Sequence, residues 1–277
     1  NEFVLDVGIN SLIIESVGAS LQPSKLLLGS TSKRDDSSTS GMYGEGFKLA
    51  LLILLREGLE VTVYNKKLLW KPVWSYNELY DATVLAIEES PSESDCGSLR
   101  FHIEGLTTAQ INTIRDRCLY IREEPIKPIL SYSDSRAFEE GVPKLYVGGL
   151  YVSNIDMKYS YDLAPSLITL NRDRKSVSGW DLGAATAKLW VGGGDPEVVA
   201  EMLLEDVPDV QKLEYEWEVK APKEVVESCV GLWDTTFESK PIAKDFNDSK
   251  KMKSEGFTEV TTVGKSAFTS IVKSSDT

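Results

Sequence analysis

The order of apolar and polar residues predicts short strands and one apolar helix at the start of the chain. Apolar, β-prone runs at residues 3–5 and 12–14 flank a turn and predict two neighbouring strands. A polar stretch of small residues follows at 30–40 and has no apolar period. The next run, at residues 47–57, is rich in strong helix formers and ends at a glycine. Its apolar residues cover nearly every side, so we expect a helix that is buried in a core.

Further strand-like runs follow this helix in close succession, with turn residues between them. They lie at residues 60–64, 68–74, 83–88 and 99–103. This spacing predicts an antiparallel meander. Residues 107–119 then form an amphipathic pattern, and Thr107 or Thr108 is placed to cap the helix that the pattern predicts.

Two prolines mark the expected boundary between two domains. A length of 277 residues favours two domains, although one large domain also agrees with it. Pro125 and Pro128 interrupt both a helix and a strand ladder. We therefore expect one domain at residues 1–124 and a second, α/β domain at residues 125–277.

The second half predicts a hairpin that is followed mainly by helices. Residues 144–153 predict a hairpin that turns at Gly148 and Gly149, and residues 161–170 predict an extended stretch. Helices are predicted at residues 180–191, 196–204, 222–233, 241–254 and 265–273, with a strand at 257–263 before the last of them.

The charge and the cysteine content narrow the function classes. The net charge is −13 and the isoelectric point is near 4.7, which argues against nucleic acid and anionic membranes as partners. The longest apolar run, at residues 49–55, is far shorter than the roughly 20 residues that span a bilayer. Three distant cysteines and one histidine argue against a disulfide framework and against a zinc cluster. We expect a cytoplasmic protein with no metal-ligating cluster of its own.

The most specific chemical signal is a glycine-rich turn at the start of the helix predicted at residues 47–57. Backbone N–H groups at a helix start bind anions, and glycines allow the chain to approach a phosphate closely. Lys33 and Arg34, in the polar loop before the turn, would add charge-assisted contacts. The predicted nucleotide-binding residues of the turn are Gly41, Tyr43, Gly44, Glu45, Gly46, Phe47 and Lys48. A purely structural turn is the alternative interpretation.

The polar loop and the glycine turn resemble the ATP lid of the gyrase, heat-shock chaperone, histidine kinase and MutL (GHKL) ATPases. The pattern is similar above all to bacterial and phage-borne proteins of the heat-shock-chaperone type. The resemblance implies an α+β sandwich of the Bergerat type, with a mixed sheet and helices on one face, followed by a transducer-like α/β domain. It implies ATP and Mg²⁺ as cofactors, hydrolysis coupled to lid closure and a conformational switch, and a homodimer or protein partner.

The same resemblance assigns roles to residues outside the turn. Ser16 and Gly18 lie where the family has the Asp and the first Gly of an Asp-x-Gly-x-Gly motif, whose Asp accepts a hydrogen bond from the adenine amino group. Thr83 lies where the family often has a strand Thr beside adenine. Arg174 matches an Arg that reaches the γ-phosphate, and a solvated ion-pair cluster is the alternative interpretation there.

The catalytic helix of the family has no match in this sequence. That helix supplies a Glu that activates water and an Asn that binds Mg²⁺, and it precedes the strand that matches residues 3–5, so we expect the general base to lie outside this chain. Two functions stay open, an ATPase and a catalytically degenerate GHKL-fold interaction or structural protein. A nucleic-acid-handling ATPase is a third alternative, against which the acidic charge argues.

Overall fold

The computed structural model describes residues 2–26, 46–79, 81–170, 177–214 and 221–275. The chain divides into two compact units, Asn1–Pro125 and Ile126–Thr277. The sequence places the boundary one residue earlier, in the same proline-containing segment. Each unit combines a sheet with helices, so the fold class is α+β. None of the helices in the described ranges is long and apolar enough to cross a membrane.

In its described residues, the first unit has a six-stranded sheet and two α-helices. Its elements are β1 (Phe3–Val7), β2 (Ser11–Val17), α1 (Gly46–Arg56), β3 (Glu60–Asn65), β4 (Leu68–Asn77), β5 (Ala82–Pro91), β6 (Ser98–Glu104) and α2 (Thr108–Arg117). The strand order is β1-β2-β6-β3-β4-β5, and every neighbouring pair is antiparallel.

The alternation of side chains gives this sheet one apolar face, which we call the inner face. Leu12 of β2, Ile103 of β6 and Val61 of β3 lie side by side on it. Leu51 of α1 and Ile111 of α2 belong to the same buried cluster, so both helices pack on the inner face. The inner face and the start of α1 therefore provide the frame for the candidate site.

Two expectations about the sheet of the first unit are corrected. Strands β2 and β3 run in the same direction, and β6 lies between them and antiparallel to both, so this sheet is antiparallel throughout and not mixed. The predicted meander is limited to β3, β4 and β5 for the same reason. Strand order depends on which distant segments pair, and turn residues between runs do not encode it.

The expectation that α1 is buried on every side is also corrected. Leu49 and Ile53, four residues apart on one stripe of the helix, are 49% and 56% exposed. Within the described residues, α1 packs mainly against β3 and β4. The apolar pattern therefore predicts the helix correctly but overstates its burial.

The second unit has a five-stranded sheet, a two-stranded sheet and five α-helices in its described ranges. Its strands are β7 (Leu130–Tyr132), β8 (Ser135–Phe138), β9 (Lys144–Val147), β10 (Leu150–Asn154), β11 (Ser160–Leu163), β12 (Ile242–Ala243) and β13 (Thr261–Thr262). Its helices are α3 (Gly179–Gly193), α4 (Pro196–Leu204), α5 (Lys223–Thr236), α6 (Phe246–Ser254) and α7 (Lys265–Ser275), with a 3-10 helix at Pro208–Glu214. The larger sheet has the order β10-β9-β11-β8-β7 and is mixed, because β9 and β11 are parallel.

The predicted hairpin of the second unit is confirmed as β9 and β10. Gly148 and Gly149 form its turn with φ values of +56° and +77°, which glycine adopts without strain. The N–H group of Gly149 donates to Oδ1 of Asp162 at 2.7 Å. This bond ties the turn to β11, the parallel neighbour of β9.

The helix predicted at residues 241–254 is shorter than its pattern suggests. Asp245 accepts a hydrogen bond from the N–H group of Asp248 at 2.8 Å and so caps α6, which begins at Phe246. The residues before the cap form β12, which pairs with β13. The local sequence pattern does not show that Ile242 pairs with Thr261, which lies 19 residues later in the chain.

A buried hydrogen-bond network holds the 3-10 helix against β11 and α3. Asp209 is fully buried and accepts hydrogen bonds from the N–H groups of Lys158 at 2.8 Å and Tyr159 at 3.2 Å, and from the hydroxyl of Tyr161. The Tyr161 oxygen accepts a bond from Nε1 of Trp190 at 2.8 Å. Burial, and then the charge of Asp209, raise the pKa of Tyr161 far above its ordinary value, so its hydroxyl keeps the proton that it donates.

Candidate functional site

The start of α1 lies at the end of the sheet where β3 finishes. Helix α1 ends at Arg56, and β3 begins at Glu60 and runs back beneath it. Because the two elements are joined by a short turn and run in opposite directions, the first turn of α1 lies toward Asn65, the last residue of β3. We call this end of the first unit the site end.

Strand β2 finishes at the same end. Ser16 pairs with Leu99 of β6, and Leu99 pairs in turn with Asn65 of β3. The rings of Phe47 in α1 and Phe101 in β6 have centroids 6.5 Å apart, which places the start of α1 near these residues. The structure thus brings Ser16, at the end of β2, to the same end of the unit as the first turn of α1.

The first turn of α1 has the character of an anion site. Lys48 lies in this turn and is only 6% exposed, and the turn contains no acidic residue. Nζ of Lys48 is 5.7 Å from the ring centroid of Phe47. A helix start carries partial positive charge, and a buried lysine in the same turn adds to a positive potential that favours anions. Gly46, which has no side chain, is the first residue of the helix.

Gly18 turns the chain away from the sheet directly after β2. Its φ is +73°, in the region that favours glycine, and its N–H group donates to the carbonyl oxygen of Gly97 at 3.0 Å. A Cβ atom at Gly18 would meet no atom within 4 Å, so the backbone conformation and not crowding selects glycine here. The role of Gly18 in a nucleotide pocket stays a prediction.

Asn65 is a residue of the site end that the sequence does not single out. It is 5% exposed, and its side-chain amide forms two hydrogen bonds with the backbone of Leu21. Oδ1 accepts from the N–H group at 3.0 Å, and Nδ2 donates to the carbonyl oxygen at 2.6 Å. One feature of the sequence could have indicated Asn65. Val61 and Val63 are apolar residues of the inner face, and the next position of β3 on that face is an amide.

Thr83 does not lie at the site end. It is in β5, which is separated from β2 by β6, β3 and β4, so about 19 Å of sheet lies between the two strands. It also pairs with Tyr76, which lies eight positions along β4 from Leu68, whereas Leu68 pairs with Asn65 and Pro91 at the site end. The structure therefore does not bring Thr83 together with the other described candidates. The β4–β5 hairpin extends past the opposite end of the sheet, and residue spacing does not reveal this.

Several predicted nucleotide-binding residues lie outside the described residues, so the structure places none of them. They are Lys33, Arg34, Gly41, Tyr43, Gly44, Glu45 and Arg174. The described candidates are Ser16, Gly18, Gly46, Phe47, Lys48 and Thr83, and all except Thr83 lie at the site end.

An ion pair supports β2 from the opposite face of the sheet. Nε of Arg100 in β6 donates to Oε2 of Glu15 at 2.8 Å, one residue from Ser16. The hydrogen bond from Arg100 lowers the pKa of Glu15 below its ordinary value of 4.5. The guanidinium also lies 6.0 Å from the ring centroid of Tyr64.

Arg100→Met should therefore change stability in a pH-dependent way. A lowered pKa means that the pair stabilises the folded state above pH 4.5, and that this contribution is lost as the pH falls through the folded-state pKa of Glu15. We expect a loss of about 0.5–1 kcal/mol at pH 7, because Arg100 is partly exposed. Urea unfolding at pH 7 and at pH 3 measures the difference, with Lys71→Met as the control on the same face. A difference that is equally large at both pH values contradicts the assignment.

Three features meet at the site end. They are the Gly18 turn after β2, the backbone of Leu21 held by the Asn65 amide, and the buried Lys48 in the first turn of α1. Across the described ranges, no group of three or more His, Cys, Asp or Glu side chains is placed to hold a metal ion. A scan of protein-family models and a search of curated proteins find no match to this chain.

Proposed function

We propose that the chain is an ATP-binding protein of the GHKL type that holds the phosphates of the nucleotide at the start of α1. The observation that carries the proposal is the buried Lys48 in the first turn of that helix, at the same end as the Gly18 turn. A phosphate group there lies beside a positively charged side chain and accepts hydrogen bonds from the first N–H groups of the helix. In this proposal the first unit is a Bergerat-type nucleotide-binding domain, and the second is a transducer-like domain.

Mg²⁺ enters this proposal together with the nucleotide. The polar side chains described at the inner face of the site end are Ser16 and Asn65, and the amide of Asn65 is used by Leu21. These groups do not form a Mg²⁺ site, since Mg²⁺ prefers carboxylates, waters and phosphate oxygens in octahedral arrangement. Hydrolysis coupled to lid closure and to a homodimer or partner contact is the further activity that the resemblance suggests.

The proposal is tested by titrating the chain with a fluorescent ATP analogue in the presence of Mg²⁺. We expect saturable binding that Lys48→Met weakens at least tenfold, because a charge-assisted hydrogen bond in a buried site contributes roughly 1.5–3 kcal/mol. The matched control is Lys71→Met, since Lys71 is an exposed lysine of β4. Circular dichroism and thermal unfolding check that both variants are folded.

Two results would contradict nucleotide binding at this site. One is the absence of saturable binding at high micromolar protein concentration. The other is equal affinity of the wild-type chain and Lys48→Met, with Lys71→Met as reference. The second result leaves nucleotide binding itself intact and moves it away from α1.

A catalytically degenerate protein of the same fold is the second candidate function. The observation that favours it is that Ser16 pairs with Leu99 at the site end, so the described inner face offers an uncharged hydroxyl and an apolar side chain to a base. Phosphate release from ATP separates the two candidates. Turnover that Lys48→Met abolishes supports an ATPase, whereas binding without turnover supports the degenerate protein.

A further inference from the structure

We propose that the unpaired side of β5 binds an extended segment of another polypeptide, whose ends carry Lys or Arg residues. The bound segment adds a seventh strand to the sheet of the first unit. This binding surface lies at the far side of the sheet from β1 and does not depend on nucleotide binding. The position of β5, the direction of its backbone groups and the charges around it carry the proposal.

Strand β5 is an edge strand with open backbone groups. It pairs with β4 along Ala82–Pro91, and within the described residues no strand lies on its other side. The N–H group of Ser92 donates to the carbonyl oxygen of Lys67 at 2.8 Å, which fixes the phase of the ladder between the two strands. Backbone groups alternate along an antiparallel ladder, so every second residue of β5 points its N–H and C=O groups away from β4. We call this unpaired side the open edge, and its outward residues are Thr83, Leu85, Ile87 and Glu89.

The middle of the open edge lacks the features that usually prevent an edge strand from pairing. Those features are charged side chains, prolines and β-bulges. From Ala82 to Ile87 the strand contains no charged residue, proline or glycine, and its register with β4 is continuous. Residues 84–87 are half-buried and apolar, and they alternate between the two faces of the sheet. An added strand therefore meets apolar neighbours on both faces.

The charges around this uncharged stretch select a basic partner. Between residues 71 and 91 the β4–β5 hairpin has one lysine, Lys71, and four carboxylates, which gives it a net charge of −3. The carboxylates are Glu78 and Asp81 at the turn, and Glu88 and Glu89 beyond the other end of the uncharged stretch. Lys or Arg residues at both ends of an added strand lie near these carboxylates, and opposite charges on neighbouring strands stabilise the pairing.

Two exposed aromatic side chains beside the open edge also suit a basic segment. Trp74 pairs with Leu85 and Tyr76 pairs with Thr83, so each ring lies on the same face as its partner. The two aromatic residues are 43% and 60% exposed. An added strand lies two strand spacings from β4, or about 10 Å. A Lys or Arg side chain on this face reaches across the short Thr83 side chain to the ring of Tyr76, where a cation is attracted to the π system.

A second copy of the chain is a poorer occupant of the open edge. Its own β4–β5 hairpin brings the same four carboxylates, and each chain has a net charge of −13. Like charges close together on neighbouring strands are destabilising. The charges therefore favour a basic segment over self-pairing.

Peptide binding to the full chain tests the chemistry of the partner. The probe is a fluorescently labelled peptide of alternating valine and threonine with a lysine at each end, and fluorescence anisotropy measures its affinity. We expect saturable binding that weakens about tenfold when glutamate replaces both lysines, because attraction to the hairpin carboxylates becomes repulsion. The lysine peptide with every backbone amide N-methylated should not bind, since an added strand is held by main-chain hydrogen bonds.

Prolines at the two edges of the sheet test the location. The N–H group of Thr83 points away from β4, so Thr83→Pro keeps the β4–β5 ladder and blocks the added strand, and it should weaken binding about tenfold. The matched control is Phe3→Pro, at an exposed outward position of β1, and it should leave the affinity unchanged. Glu88→Gln removes a charge without altering the backbone, and it should reduce the preference for the lysine peptide. Thermal unfolding checks that the variants are folded.

Several results would overturn the proposal. Equal affinity for the lysine and glutamate peptides shows that charge does not select the partner, and equal affinity for the N-methylated peptide shows that no strand is added. Both comparisons use the wild-type chain and need no variant. Binding that Phe3→Pro weakens and Thr83→Pro does not lies at β1. Absence of saturable lysine-peptide binding at millimolar concentration, together with self-association that Thr83→Pro abolishes in sedimentation, makes a second copy the occupant.

Discussion

Asp209→Ala should lower the free energy of unfolding by about 3–5 kcal/mol, which is a large part of the stability of a typical domain. Asp209 accepts three hydrogen bonds, from the backbone of Lys158 and Tyr159 and from the hydroxyl of Tyr161. The alanine variant leaves all three donors without that acceptor, and the Tyr161 hydroxyl is fully buried. Each unsatisfied buried donor costs roughly 1–3 kcal/mol, and the costs do not add fully because the donors share one network.

Urea unfolding followed by tryptophan fluorescence measures this effect, because Trp190 belongs to the network. The matched control is Asp195→Ala, which removes the N-cap of α4 and should cost about 1 kcal/mol. Asp209→Asn keeps the size of the side chain but turns a donor toward a position that needs acceptors, and it should be destabilising as well. A loss below 1 kcal/mol for Asp209→Ala would show that the network does not support the fold.

Trp70→Ala should destabilise the chain by about 3–5 kcal/mol through the core of the first unit. Trp70 is 2% exposed, and its Nε1 donates to Oε2 of Glu89 on the neighbouring strand at 2.8 Å. Removal of the indole leaves a cavity beneath α1 and an acceptor without its donor. Trp70→Phe retains most of the apolar contact and should cost less, in the range of 1–2 kcal/mol expected for a lost hydrogen bond and a smaller ring.

The same strand supplies a closely matched control. Trp74 lies four residues from Trp70 on the same face of β4. It is 43% exposed because it lies beyond the residues of β4 that pair with β3. Trp74→Ala should therefore cost no more than about 1 kcal/mol. Equal losses for the two tryptophan variants in urea unfolding would contradict the described position of Trp70 in the core.

The sequence locates helices well where their signals lie beside them. Helix α4 has the predicted bounds, because Asp195 caps it and Pro196 occupies its first turn. Helix α2 begins after Thr107, which forms a capping box with Gln110. Such signals involve residues three or four positions apart, so they can be recognised without knowledge of the tertiary structure.

Strand neighbours could not be predicted in the same way. Strand β6 pairs with β2 across 89 positions in the case of Ile13 and His102, and no local pattern encodes this choice. For the same reason, the sequence does not show that Thr83 lies away from the other described candidates. Alternation along β5 indicates the face on which a residue lies, but not the end of the sheet or the neighbouring strand.

The candidate site could be predicted in part. Ser16, Gly18, Phe47 and Lys48 lie at one end of the first unit because each is close to an element boundary that the sequence marks. Asn65 could not be found because its partner, Leu21, is 44 positions away. The break in the apolar alternation of β3 is a signal only once the inner face is known.

The two hydrogen bonds between Asn65 and Leu21 affect how well the fold tolerates insertions and deletions between Leu21 and Gly46. Leu21 is tied to the end of β3, and Gly46 begins the helix that starts at the same end, so the 24 intervening residues, 22–45, connect two anchors at one end of the unit. The entropy of closing a loop grows only with the logarithm of its length, and each doubling costs about 0.6 kcal/mol. Insertions and deletions between these anchors should therefore cost the fold little, and the first turn of α1 should stay at the same end of the unit.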